Sequence, residues 1–312
     1  MIPNVLTLDY VDVKVGDEER KDIYTWAANR FVFQKHGMGG NTWDSQVQFK
    51  DNLITKKFLD NSGFEATYHF TLQESIPNNL AIVIERPDLY KIYCNDKEVN
   101  AIPNAWRFDK SFGKIDLSKV AKVGENNVKI VAQPMTIEHE LEPAYLLGDF
   151  SLQNADKGFI VVPPQALSMN PPEGWNRQGT PFYAGKVEYS QTFPIEKIDS
   201  AQKYFVQLPP SPNGWYGSTA QVAVNGQSSG FVIFAPYQID VTKFIKEGKN
   251  EIAVIILGTP KNLLGPHHAG KIRGSAWSDA FRRAPERQPS GASYDTIGYG
   301  LFEPFRLLLF TE

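Results

Sequence analysis

Glu138, Glu140 and Glu142, with His139 among them, are the densest set of proton-handling side chains in this sequence. Glycoside hydrolysis needs two carboxyl groups held roughly 5 to 9 Å apart, one of them kept protonated by its surroundings. On an extended strand the three glutamates share one face with neighbours about 7 Å apart, inside that window. The same pattern suits a divalent ion, or a solvated strand face that does no chemistry. If the chain is catalytic, its acids are to be drawn from Glu138, Glu140, Asp149, Asp279 and Glu286.

A second chemistry is recognition. The stretch from Leu263 to Tyr299 carries Trp277, Phe281 and Tyr294 among Lys271, Arg273, Arg282, Arg283 and Arg287, offset by Asp279 and Glu286. Sugars offer C–H faces that stack on rings and hydroxyls that Arg, Asn and Asp can grip, so this stretch is the preferred carbohydrate surface. Its positive charge favours an acidic sugar such as a uronate. The alternative is that these rings dock against another domain. Trp215-Tyr216, after Pro212-Asn213-Gly214, is a second aromatic pair at a loop tip with the same two readings, whereas Trp43 and Trp106 are expected in the core or between domains. His267 and His268 are adjacent rather than three or four residues apart, so hydrogen bonding to loop backbone or a sugar hydroxyl is expected in place of zinc ligation.

The elements that must position these groups form two similar series. Residues 64 to 152 and 187 to 307 repeat one order of short alternating runs, with Asp116 and Asp240, and Gly124 and Gly248, all at a single spacing of 124. Alternation of the type Phe64, Ala66, Tyr68, Phe70, Leu72, broken by Gly, Pro, Asn or Asp turns, predicts an all-β chain of two tandem β-sandwich or jelly-roll domains. Asn225-Gly226 is the sharpest hairpin turn and Asn95-Asp96 its weaker counterpart. Asn250-Glu251 opens a strand and reads as turn chemistry. One short helix is expected near the N-terminus, capped by Asp22, carrying Ile23, Trp26, Ala27 and Arg30-Phe31, and stopped near Gly37; a strand follows at Gln46 to Phe49. The boundary is set near residue 155, giving domains 1–155 and 156–312, the second with a long 263–299 insertion. The Pro-rich interval Phe159 to Thr180 is expected to cross between them.

Composition limits the function. The 312 residues are 42% hydrophobic and 12% aromatic, enough for two cored domains, and 32 basic against 35 acidic side chains leave no field that would draw the chain to nucleic acid or an anionic membrane. No apolar run approaches the length of a membrane span, and no signal peptide is legible at Met1. The single Cys94 excludes an intramolecular disulfide, argues against a cysteine-based zinc site and is expected to fill the core beside Tyr90 and Ile92.

The second series, with Val224-Asn225-Gly226, Ile239-Asp240-Val241-Thr242, Gly248-Lys249-Asn250 and Gly300-Leu301-Phe302-Glu303-Pro304-Phe305, resembles the sugar-binding jelly roll of glycoside hydrolase family 2, of the galactose-binding-like class. The whole chain, with Leu6-Thr7-Leu8-Asp9-Tyr10, Glu85-Arg86-Pro87-Asp88, Leu147-Gly148-Asp149-Phe150 and Asn262-Leu263-Leu264-Gly265-Pro266-His267-His268, resembles the C-terminal region of large bacterial glycosidases, including family 106-type α-L-rhamnosidases. The resemblance implies that catalysis belongs to an upstream barrel and that this chain is a non-catalytic carbohydrate-binding or supporting module for a plant-type or acidic polysaccharide. It implies no cofactor beyond a structural calcium ion, and a periplasmic or secreted setting as part of a larger enzyme. Two rivals stay open: a glycosidase active in its own right, and a structural or protein-binding pair of sandwiches.

Overall fold

The computed structural model describes residues 3–42, 53, 55–169, 173–270 and 276–311. The expected strand from Gln46 to Phe49, together with Trp43, Lys271 and Arg273, lies outside these residues. The described chain is mostly antiparallel strand, as the alternating runs predict, and divides into two compact units, residues 1–165 with 265–295 and residues 166–264 with 296–312. Among the described residues no helix is long and apolar enough to cross a membrane.

The first unit runs β1 (Asn4–Leu8), β2 (Tyr10–Val15), β3 (Glu18–Tyr24), α1 (Thr25–Lys35), β4 (Phe64–Leu72), β5 (Ala81–Glu85), β6 (Lys91–Cys94), β7 (Lys97–Val99), β8 (Trp106–Arg107), β9 (Asp109–Asp116), β10 (Gly124–Ala132), β11 (Ala144–Gly148), β12 (Ser151–Asn154) and β13 (Phe159–Val162). One sheet has the order β1-β11-β5-β9-β8 and the other β12-β13-β4-β10-β6-β7, with β2 and β3 attached to β4. In β4 the residues Phe64, Ala66, Tyr68, Phe70 and Leu72 are buried, and Val128 and Ile130 of β10 join them on the same face. Period-two burial of this kind is what one covered sheet face produces. Cys94 sits in this core, where burial pushes its thiol up to about 11.

Three expectations are revised here. Helix α1 begins at Thr25 rather than after Asp22, because β3 pairs with β2 as far as Tyr24; Asp22 has φ 56° and its backbone N–H donates to Asp12. The helix stops where Gly37, at φ 76°, takes a conformation that costs a glycine little. Glu138 to Glu142 lie in a turn at Ile137-Glu138 and the irregular chain after it, not in a strand, because His139 is drawn inward: its Nδ1 accepts from the Thr136 N–H at 3.0 Å and its Nε2 lies 3.0 Å from the Leu89 carbonyl oxygen. The glutamates therefore do not share a strand face. Part of the expected crossing is itself a strand, since Val161 of β13 pairs with Leu72 of β4, and the first unit extends to Gln165.

The second unit contains β14 (Lys186–Ile195), β15 (Gln202–Gln207), β16 (Trp215–Tyr216), β17 (Thr219–Val224), β18 (Gln227–Val232), β19 (Gln238–Asp240), β20 (Gly248–Leu257), α2 (Lys261–Leu264), β21 (Gly300–Leu301) and β22 (Arg306–Thr311). Its sheets are β14-β20-β17-β18, β19-β15-β22 and the pair β16-β21. Ile252, Val254 and Ile256 of β20, Ala220, Val222 and Val224 of β17, and Tyr204 and Val206 of β15 share one core with Trp175, Trp215 and Phe305. The β17–β18 hairpin turns at Asn225 and Gly226, at φ 52° and 79°, the two positive angles of a primed turn. Asn95 and Asp96, at 48° and 64°, turn the β6–β7 hairpin in the first unit the same way. Asn250 is fully buried at the start of β20, its side chain bonding to the Lys246 and Gly248 backbone, so it does turn chemistry as expected.

Candidate functional site

Within the first unit the β8–β9 hairpin builds a groove of about 540 Å³. The residues Ile102-Pro103-Asn104-Ala105 form a turn clamped to β9, with the Ile102 N–H donating to the Lys114 carbonyl at 2.8 Å and the Lys114 N–H donating to Ala105 at 3.0 Å. The β8–β9 register shifts between Trp106 and Arg107, and Phe108 follows at φ 74°. A bulge re-aims a side chain, and Trp106 remains 50% exposed at the groove. Behind it Phe108 and Phe112 pack edge-on against the buried Tyr145, at ring centroids 5.0 and 6.1 Å away.

The opposite wall is the turn from Arg86 to Leu89. Arg86 has φ 43° and Asn104 φ 59°, so two non-glycine residues of the groove hold left-handed backbone, a conformation that accumulates at binding sites because surrounding contacts must enforce it. Gly113 lets the walls approach, since a Cβ there would lie 2.5 Å from Cγ of Pro87. The Arg86 guanidinium donates to Asp88 at 3.0 Å and to Glu138 at 3.4 Å, which holds the Asp88 carboxyl below the usual range. Ser111 and Lys110 complete a polar rim around the indole. Trp106 was expected in the core or between domains; the Pro103-Asn104 turn just before it is the sequence signal that places it on a surface hairpin.

The acids named from sequence are dispersed. Glu138 is exposed and paired with Arg86; Glu140 is half-buried and accepts from Asn41 Nδ2 at 2.7 Å; Asp149 is exposed and accepts from Asn79 at 2.9 Å; Asp279 pairs with Arg283 at 2.8 Å; Glu286 is exposed. Glu85 was not among them. It is half-buried, and burial first, then Glu140 and Asp109, raise its carboxyl above the ordinary 4.5. Among the described residues no group of three or more His, Cys, Asp and Glu side chains could hold a metal, so a carboxylate-built calcium site does not fit them.

The residues expected to bind carbohydrate are likewise spread. Trp277 is 74% exposed, Arg282 is exposed and Phe281 half-buried. Tyr294 is buried, its hydroxyl donating to Asp9 at 2.8 Å; His268 Nε2 lies 2.9 Å from the other Asp9 oxygen; His267 is buried beside them. Trp215 is buried against Tyr237, and Tyr216 stacks on Tyr299 at 5.5 Å. These five side chains are held by the protein itself.

No family model matches the chain. It is 30% identical over 91 residues to a Formosa agariphila protein named "Putative beta-glucuronidase", a match covering 28% of this chain and 7% of that one. Among solved structures it is similar to the rhamnosidase from Novosphingobium sp. PP1Y, with 19% identity, TM-score 0.30, and coverage of 81% of this chain and 23% of that one. It is also similar to the β-D-mannosidase from Dictyoglomus thermophilum, with 10% identity, TM-score 0.32, and coverage of 81% and 31%. The chain thus spans about a third or less of the length of each of these proteins.

Proposed function

We propose that this chain is a non-catalytic carbohydrate-binding or supporting module of glycoside-hydrolase type, and that sugar is held in the groove at Trp106. The observation that carries this reading is a half-exposed indole beside a built polar rim, with Arg86, Asp88, Asn104, Lys110 and Ser111 around it. A flat ring takes the C–H face of a sugar while flanking donors and acceptors take its hydroxyls. The ligand class comes from the resemblance to family 2 and rhamnosidase-type enzymes, whose catalytic barrel has no counterpart among the described residues. Calorimetric titration with neutral oligosaccharides tests it: binding abolished by Trp106→Ala at unchanged melting temperature supports the groove, and binding that survives the substitution removes it.

A second reading, a glycosidase active by itself, is favoured by one observation. Glu85 is a half-buried carboxyl that keeps its proton longer than usual beside Glu140, the environment a general acid needs. Turnover of aryl glycosides by the wild type and none by Glu85→Gln would establish it.

A further inference from the structure

We propose that Arg30 and Arg282, gathered on the ring of Trp26, form a second site in the first unit that takes the carboxylate or sulfate group of an acidic polysaccharide. Trp26 and Arg30 are four residues apart on α1, which places them on one helix face, and the Arg30 guanidinium carbon lies 5.7 Å from the indole centroid. Arg282 ends the single turn Ser278–Arg282, and its guanidinium carbon lies 5.9 Å from the same ring. The two cations are therefore within about 12 Å of each other.

Among the described residues neither guanidinium has an ion pair or a hydrogen bond, and the indole is its recorded contact. The nearby cations are treated differently: Arg283 is paired with Asp279, and Lys35 with Glu18. A guanidinium resting on an aromatic face keeps its N–H donors available, and the fork they form matches the two oxygens of a carboxylate or of a sulfate ester. The segment Ala276–Arg287 and α1 together bring four arginines against two carboxylates.

The occupant is a sugar and not a bare ion because of Trp277. It caps the same turn from its N-terminal side and is 74% exposed, a flat apolar surface on the segment that carries Arg282. Charge and platform together fit a uronate or sulfated residue within a chain. The proposal shares only its ligand class with the reading above, and none of its residues lines the groove.

Titration of the full chain with oligogalacturonate, its methyl-esterified form and a sulfated galactan oligosaccharide tests it. The free acid or the sulfated ligand is expected to bind, to weaken as salt rises, and to exceed the methyl ester by about ten-fold or more. Arg30→Gln combined with Arg282→Gln should weaken that binding by about ten-fold or more, with the circular dichroism spectrum and melting temperature held. Trp106→Ala should leave it unchanged. Which of the two anionic ligands responds names the group. The proposal fails if neither anion binds, if the double variant binds as tightly as the wild type, if the ester binds equally well, or if polyglutamate competes as effectively as the sugar. Loss of binding with Trp106→Ala alone would assign the acidic sugar to the groove instead.

Discussion

His268 Nε2 lies 2.9 Å from Asp9 Oδ2, joining residues 259 apart in sequence through side chains that are both only 2% exposed. Tyr294 donates to the other Asp9 oxygen, and Tyr10, Tyr24 and Tyr294 pack edge-on around the imidazole. This closed set anchors Gly265–Asp295 within the first unit, although strands of the second unit flank the segment in sequence. Asp9→Ala leaves buried donors without an acceptor, which costs about 1–3 kcal/mol. Chemical denaturation should show that loss, and limited proteolysis should cut the 276–287 segment faster than in the wild type.

Asn126 and Asn250 should contribute similarly to their respective units. Asn126 accepts from the Lys122 N–H at 2.9 Å and donates to its carbonyl at 2.7 Å, and Asn250 does the same with Lys246 at 2.9 and 2.7 Å. Each also accepts from a hairpin asparagine, Asn95 at 2.8 Å and Asn225 at 3.0 Å. Alanine at either position is expected to cost about 1–3 kcal/mol, and calorimetry should show the lost transition in a different unit for each.

Stability should fall on acidification through His139. Burial, the leading cause, lowers its pKa below 6.5, so the unfolded chain binds the proton first. Its contribution is full above about 6.5 and is lost as pH falls through the depressed value. His139→Gln should flatten this part of a melting-temperature profile; an unchanged profile would contradict it.

Glu85 works in the opposite direction. Its folded pKa lies above 4.5, so the neutral form is favoured in the native state and that advantage disappears as pH rises through the raised value. Glu85→Gln is expected to raise the melting temperature at pH 7 and to change it little at pH 4.

Gly113→Ala should damage the groove without touching its polar rim. The new Cβ would meet Pro87 Cγ at 2.5 Å, so the walls must part. We expect a loss of about 1–3 kcal/mol together with weaker binding of neutral sugar, read by denaturation and by calorimetry.

The all-β architecture was legible residue by residue, because burial on one sheet face imposes a period of two that Phe64 to Leu72 and Gln221 to Val224 display openly. The primed turn at Asn225-Gly226 and the turn role of Asn250 were equally local, since positive φ and short-range side-chain bonding leave their mark on residue type. Tertiary structure decided the rest. Whether Trp106 or Tyr294 meets solvent depends on a register shift in one hairpin and on a carboxylate hundreds of residues away, neither of which has a periodic signature. Glu138, Glu140 and Glu142 lost their common face because burying His139 with both ring nitrogens bonded turned the chain there. Local geometry is written in neighbours along the chain; a site is made by neighbours in space, and those follow from which distant polar groups find each other once water is excluded.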